Sequence, residues 1–354
     1  MRILAAMSGG VDSSVAAALL KETRDEVIGV TMKLLPRGAT GFGCCGSPAD
    51  VDDARRVCET IGISHYVADM AEMFESRVIK PYVDAYLGGT TPNPCVECNR
   101  SVKFGRLLDL ARAWGCDKVA TGHYARVDDG RLLKSVDDRK DQTYFLYALT
   151  SRELAKALFP IGGLSKDQVR ARARALGLKT ADKPESMETC FVPSCDVRGF
   201  VASRPEASGS AGLARGPIKS PGGRVLGEHG GLASYTVGQR KGLGVTAADP
   251  LYVVRLEPET NTLVVGSDAE VLADGLVAGG VTWTAQALAH PRRAEVRVRH
   301  RHPPAPALLT PRADGTVAVR FDAPQRAPAP GQAAVFYDGD VVLGGGTILR
   351  GGLS

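Results

Sequence analysis

The segment Ser8-Gly9-Gly10-Val11-Asp12-Ser13-Ser14 follows a short apolar run, residues 3–7, and opens a stretch with Val11, Val15 and Leu19 at fourfold spacing. An apolar run that breaks at two glycines and restarts with a helical period reads as strand, tight loop, helix. No other feature limits the fold as much. Glycines let the backbone approach an anion closely, and the first turn of a helix presents unpaired N–H groups to it. Ser8, Ser13 and Ser14 add hydroxyl donors, and Asp12 is placed either to cap the helix or to help hold magnesium. The loop lacks both the lysine of a Walker loop and the third glycine of a dinucleotide fingerprint. It reads as an anion site of a different kind.

The alternation continues downstream. Residues 27–32, 65–68 and 118–121 are further buried-strand runs, and Val51, Ala54, Cys58 and Ile61 lie on one face of an intervening helix. Such alternation predicts an α/β fold with a Rossmann-like parallel sheet wrapped by helices, which takes ligands at the carboxyl ends of its strands. A chain of 354 residues is too long for one core. We expect a nucleotide-binding domain over 1–150, a helical extension over 151–204, a central β domain over 205–275 and a C-terminal β-barrel domain over 276–354. The last two follow from turn-rich spacers and short β-type runs at 252–256, 263–266, 294–298, 316–321, 333–337 and 341–343.

Charge is informative through its distribution. The net +5 is modest, but Arg292, Arg293, Arg297, Arg299 and Arg301 crowd residues 291–302. A second group comprises Lys166, Arg170, Arg172, Arg174, Lys179 and Lys183. Beside a nucleotide motif, the two together predict a footprint for a phosphate backbone. No apolar run is long enough for a membrane helix, and the N-terminus reads as a strand and not a signal peptide. A cytoplasmic protein with mostly reduced cysteines is expected, so its eight cysteines point to metal or redox chemistry. Cys58 and Cys116 fall at apolar positions and read as core. Cys44, Cys45 and Cys195 stay open.

Ser-Gly-Gly-Val-Asp-Ser after the first strand resembles the pyrophosphatase loop of enzymes that cleave ATP between its α and β phosphates. Further segments narrow the resemblance. They are Thr91-Pro92-Asn93-Pro94-Cys95-Val96-Glu97-Cys98-Asn99, Ala120-Thr121-Gly122-His123-Tyr124, and Lys140-Asp141-Gln142-Thr143-Tyr144-Phe145-Leu146. Residues 185–191 with Cys190, the run from Tyr235 to Gly244, and the run from Pro330 to Tyr337 complete the set. Together and in this order they are similar to the tRNA-specific 2-thiouridylase family, from the first strand to the last.

The resemblance implies an adenine nucleotide α-hydrolase-like first domain and conversion of the wobble uridine of tRNA to 2-thiouridine. The uracil C2 carbonyl is a poor electrophile, and transfer of AMP to its oxygen makes the carbon attackable. An unpaired anticodon base leaves its stack at low cost. By resemblance, Ala6, Met7, Ser8, Gly9, Gly10, Val11, Asp12 and Ser13 bind ATP with Mg2+, Met32 packs on adenine, and Gly122 lines the same pocket. Asn93, Pro94 and Cys95 approach the target base. Lys140, Asp141 and Gln142 contact tRNA, with Arg299 and His300, where the family holds an arginine and an aromatic residue. Cys98 and Cys190 match the two sulfur-handling cysteines, fed by a persulfide or hydrosulfide donor such as a cysteine desulfurase or its relay.

The common family pattern has aspartate where this chain has Cys95. Three readings stay open. Cys95, Cys98 and Cys190 ligate a 4Fe–4S cluster with one open iron; Cys190 carries a persulfide that Cys98 resolves through a disulfide; or a structural zinc draws a fourth ligand from Cys44 or Cys45. A helix expected to start near Ser101 would aim its N-terminus at this loop. Outside the family, another adenylating ligase and a tRNA-binding protein using ATP as a switch are the alternatives.

Overall fold

The computed structural model describes residues 1–36, 47–184, 189–284 and 286–353. Cys44, Cys45, positions 185–188 and the Cys195 side chain lie outside the described residues. A five-stranded sheet is built from β1 (Arg2–Ala6), β2 (Glu26–Lys33), β3 (Ser64–Asp69), β4 (Lys118–Ala120) and, beyond the hairpin described below, β7 (Ala157–Leu158). All pairings are parallel, in the order β3-β2-β1-β4-β7. The two-residue β7 falls where only helix was expected, because so short a strand has no period to read.

Side chains of β1 alternate between two cores. Ile3 and Ala5, with Met7 just beyond the strand, meet Val11, Val15, Ala54 and Val57 on one side. Leu4 joins Ile28, Met32, Phe74, Cys98 and Val102 on the other. Burial on both faces is what a parallel sheet requires. The first core is contributed by α1 (Val11–Glu22) and α2 (Pro48–Ile61). Helix α2 has Pro48 in its first turn, a Ser47 Oγ cap on the Asp50 amide and a left-handed Gly62 at its end, an arrangement readable from sequence. Cys58 has no exposed surface, and burial pushes its thiol up to about 12. It is a core residue, as expected, and not a thiolate.

Downstream, β8 (Gly216–Lys219), β9 (Val225–His229), β10 (Tyr252–Glu257) and β11 (Thr262–Gly266) form a four-stranded sheet in the order β10-β11-β8-β9. The C-terminal strands are β12 (Leu272–Trp283), β13 (Arg292–Arg297), β14 (Ala305–Pro311), β15 (Val317–Arg326), β16 (Ala333–Asp338) and β17 (Val341–Gly351). They run β12-β15-β14-β13-β16-β17, and the β12–β17 pairing closes them into a barrel. A hairpin from the first half of the chain, β5 (Ala125–Asp128) and β6 (Arg131–Lys134), continues this sheet through Leu133 opposite Val341.

Between the parallel sheet and the barrel lies a third core of Phe104, Tyr144, Leu146, Tyr147 and Leu149 with Val335, Tyr337 and Val342. Asp141, 3% exposed, anchors its edge. Its carboxylate accepts from Ser135 N at 3.2 Å, Thr143 Oγ1 at 2.7 Å and Arg297 Nη1 at 3.2 Å. Removing one partner of a buried charge pair strands the other. Arg297→Met is therefore expected to lower the unfolding free energy by about 3–5 kcal/mol, measured by urea denaturation; a loss below about 1 kcal/mol would show the pair to be solvated.

Candidate active site

The glycine loop follows β1, Gly122 follows β4, and Met32 lies near the end of β2. In the strand order, β1 and β4 meet where the chain reverses its direction of winding, so loop and Gly122 flank the crevice that opens there. Glycine is required by contact as well as by conformation. Gly9 has φ +71°, and a Cβ on it would lie 2.4 Å from Asp50 O at the start of α2. A Cβ on Gly122 would lie 2.5 Å from Ser13 N. Gly10 has φ −99°, and its Cβ would meet only Ser8 Oγ at 3.4 Å.

The hydroxyls hold the loop in shape. Ser13 Oγ accepts from Ser8 N at 3.1 Å and donates to Gly10 O at 3.1 Å, while Ser14 Oγ donates to Gly10 O at 2.8 Å. Asp12 does not cap α1, whose N-cap is Gly10 with no side-chain bond. Its carboxylate instead takes Lys166 Nζ at 2.8 Å on both oxygens and Tyr124 Oη at 2.9 Å. That engagement does not fit a carboxylate offered to magnesium.

The basic group expected to meet a phosphate backbone divides: Lys166 and Lys183 are engaged at the glycine loop, whereas Arg172, Arg174 and Lys179 stay exposed. Lys166 is buried on Asp12, and Lys183 Nζ contacts Asp50, Asp53 and the Gly9 carbonyl. Arg170 donates to Ala181 O, Arg172 to Glu22 and Arg174 to Asp182. The helix Lys166–Ala175 is thereby clamped over α1 and the glycine loop. Sequence spacing grouped these cations correctly, but their acidic partners lie up to 154 residues away.

The cysteine segment starts its helix earlier than expected. Pro94–Glu97, Cys98–Arg106 and Leu107–Ala113 are contiguous helical segments with Asn93 as N-cap and Pro94 in the first turn; the middle one is π-helical. Cys95 thus sits in the first turn and Cys98 one turn further in. Proline is favoured at this position because its missing N–H has no partner to lose. Irregular π-type turns recur at functional sites. Cys98 is 7% exposed within the core that holds Met32, and Cys190 packs against the same cluster. The Pro/Asn-rich flanks hid this burial, because they belong to the entry of the helix and not to its face.

Tyr82, on the helix Lys80–Leu87, borders both cysteine segments. Its ring packs on Phe191 with centroids 5.1 Å apart and on Tyr86 at 4.9 Å, and burial raises the pKa of its hydroxyl. Among the described residues there is no disulfide, and no group of three or more His, Cys, Asp or Glu side chains is arranged to hold a metal. Cys95, Cys98 and Cys190 are therefore not gathered into one such group.

The remaining positions divide between surface and interior. Asn93, Pro94, Lys140 and Gln142 are half-buried, and Gln142 Oε1 accepts from Tyr124 N at 2.9 Å. The Asp141 side chain is buried in the core contact described above, so it is the flanking Lys140 and Gln142 that keep accessible surface. Arg299 Nη2 donates to Ala327 O at 2.9 Å and Val237 O at 3.4 Å, joining the barrel to the loop of the central sheet. His300 lies on Phe145 with ring centroids 4.4 Å apart. Burial lowers its pKa, so the ring is neutral at neutral pH.

Three domain families match in succession. Residues 1–194 match the tRNA methyl transferase HUP domain, 209–267 the tRNA methyl transferase PRC-barrel domain, and 273–348 the aminomethyltransferase β-barrel domain. Over nearly the whole length, the chain is 50% identical to the tRNA-specific 2-thiouridylase of Symbiobacterium thermophilum, covering 99% of this chain and 92% of that one. It is 48% identical to that of Geobacter metallireducens, covering 98% and 96%, and 47% identical to that of Geotalea uraniireducens, covering 98% and 94%. The chain belongs to the tRNA-specific 2-thiouridylase family.

In this family member, reading the sequence placed Tyr124 in a motif without giving it a role, and missed Tyr82, Tyr86 and Thr180 near the site. Only Tyr82 and Tyr86 carried a local signal, an i, i+4 aromatic pair. Thr180 Oγ1 lies 3.2 Å from Ser14 Oγ, a contact that only the folding-back of the extension creates.

Proposed function

We infer that the chain catalyses ATP-dependent 2-thiolation of the wobble uridine of tRNA. Family membership over nearly the full length supports this reading, and one feature of the fold carries its chemistry. Met32 at the nucleotide end of the sheet, Cys98 and Cys190 share one core, so activation and sulfur delivery have a common wall. In this reading residues 1–150 bind ATP, the extension 151–204 closes over the loop and brings Cys190, and the β domains 205–275 and 276–354 help hold tRNA.

The uracil C2 oxygen attacks the α-phosphorus of MgATP and pyrophosphate leaves. A persulfide on Cys190 then attacks C2 through its terminal sulfur, and AMP departs with the original oxygen. Cys98 thiolate attacks the Cys190 sulfur, leaving 2-thiouridine and a Cys98–Cys190 disulfide that an external thiol reduces. The persulfide comes from a sulfur-donor protein, such as a cysteine desulfurase or its relay. This thiol route needs two cysteines and no cluster, and Cys95, Cys98 and Cys190 are not gathered into a metal-holding group among the described residues. No helix among the described residues is long and apolar enough to cross a membrane, which agrees with work in the cytoplasm beside tRNA.

Incubation with a tRNA carrying uridine at the wobble position, MgATP and a persulfide donor should yield 2-thiouridine by nucleoside mass spectrometry, with one AMP per sulfur. AMP formation with a small-molecule acceptor and no tRNA would instead assign another adenylating enzyme. Arg299→Ala is expected to weaken tRNA binding and to flatten its salt dependence by roughly one phosphate contact. An unchanged slope would confine Arg299 to its two carbonyl contacts.

A further inference from the structure

The glycine loop contains no lysine, and a cation placed near the leaving pyrophosphate, beside the magnesium that enters with ATP, would stabilise the charge that develops there. From residues more than a hundred positions away, Lys183 reaches the loop. Its Nζ donates to Gly9 O at 3.0 Å, to Asp50 Oδ1 at 2.8 Å and to Asp53 Oδ2 at 2.7 Å. All three ammonium protons are thus used, one on the loop and two on acids. The two acids are held differently. Asp50 is nearly buried, and its second oxygen accepts from the Ser47 hydroxyl at 2.6 Å. Asp53 is more exposed and borders a cavity of about 220 Å³ whose walls also carry Arg56, Glu59, Lys179 and Thr180. The Lys183–Asp53 contact is the one that solvent and added charge weaken most.

Resting on the ATP-dependent reading above, we propose that Lys183 is the phosphate-side cation of this loop, held by Asp50 and Asp53 until it exchanges Asp53 for the pyrophosphate half of the nucleotide. The exchange leaves the Gly9 contact in place, so the ammonium remains tethered to the loop it serves. Asp53 has the adjoining cavity to turn into. A lysine held ready by carboxylates costs less to bring to the phosphates than a free side chain, because most of its rotamer freedom is already lost. The adenosine end, on the Met32 side of the loop, makes no use of it.

The test is calorimetric titration of the full chain with inorganic pyrophosphate and, separately, with AMP. The wild-type chain should bind both; binding of neither would overturn the ATP reading itself. Lys183→Met should weaken pyrophosphate binding roughly tenfold or more while AMP affinity stays within about twofold. Lys183→Arg, which keeps the charge, should recover most of the loss. Because Lys183→Met leaves two acids unpaired against the loop, a charge-balanced chain with Lys183→Met, Asp50→Asn and Asp53→Asn separates the roles. It should melt close to wild type yet remain weak for pyrophosphate. Wild-type pyrophosphate affinity in Lys183→Met, or recovery of that affinity in the charge-balanced chain, would reduce Lys183 to a neutraliser of Asp50 and Asp53 and overturn the proposal.

Discussion

Cys190→Ser and Cys98→Ser are each expected to lower 2-thiouridine formation by about a thousandfold or more, with MgATP binding unchanged. A hydroxyl carries no persulfide and resolves none, whereas the adenylation step uses neither thiol. The two variants should differ in what accumulates. Cys98→Ser still accepts sulfur on Cys190, so a mixed adduct between Cys190 and the base can be trapped and weighed; Cys190→Ser gives none. Cys58→Ala is the control, since that thiol is buried away from the shared core and held protonated at working pH by burial. Cys95→Asp, which restores the common family residue, should retain thiolation in iron-free protein. Joint loss of iron and activity in Cys95→Ala, Cys98→Ala and Cys190→Ala would refute the thiol route and require a cluster.

Gly9→Ala should abolish tRNA-dependent AMP formation, with a loss of at least a hundredfold, a barrier change of about 3 kcal/mol. The added Cβ would sit 2.4 Å from Asp50 O, a backbone atom, and being fixed to its own Cα it has no torsion by which to swing aside. The residue also holds φ +71°, where alanine is strained by roughly 1–3 kcal/mol. Either α2 or the loop must move, and the loop is the less anchored of the two. Gly122→Ala presses on Ser13 N in the same way and should behave alike. Gly10→Ala, whose Cβ meets only the Ser8 hydroxyl, should keep most activity. Equal activity in Gly9→Ala and wild type, measured as AMP release, would show that the loop does not have to approach α2 this closely.

The strand–glycine–helix order, the parallel alternation and the later β texture were legible in the sequence because each depends on a local period: two for strands, near four for helices, and glycine where the backbone turns sharply. Those periods placed β1 to β4, α1, α2 and the change to β structure. The glycine loop with Gly9 was readable from its own residues, whereas Gly122, Met32, Cys98 and Cys190 came only from the resemblance to the family; the fold gathers them around one sheet end and one core. What no period encodes is which charge meets which. Lys166 and Lys183 looked like part of an RNA-binding face, and nothing local showed that Asp141 pairs with Arg297. Tertiary structure decided otherwise, since a buried charge is tolerable only beside its partner, and Asp12, Asp50 and Arg297 are brought to them from other elements. The same folding-back carries Thr180 to Ser14 and joins the hairpin at 125–134 to the barrel. Local sequence set the elements and their chemistry; long-range pairing set which of those chemical groups still face the substrate.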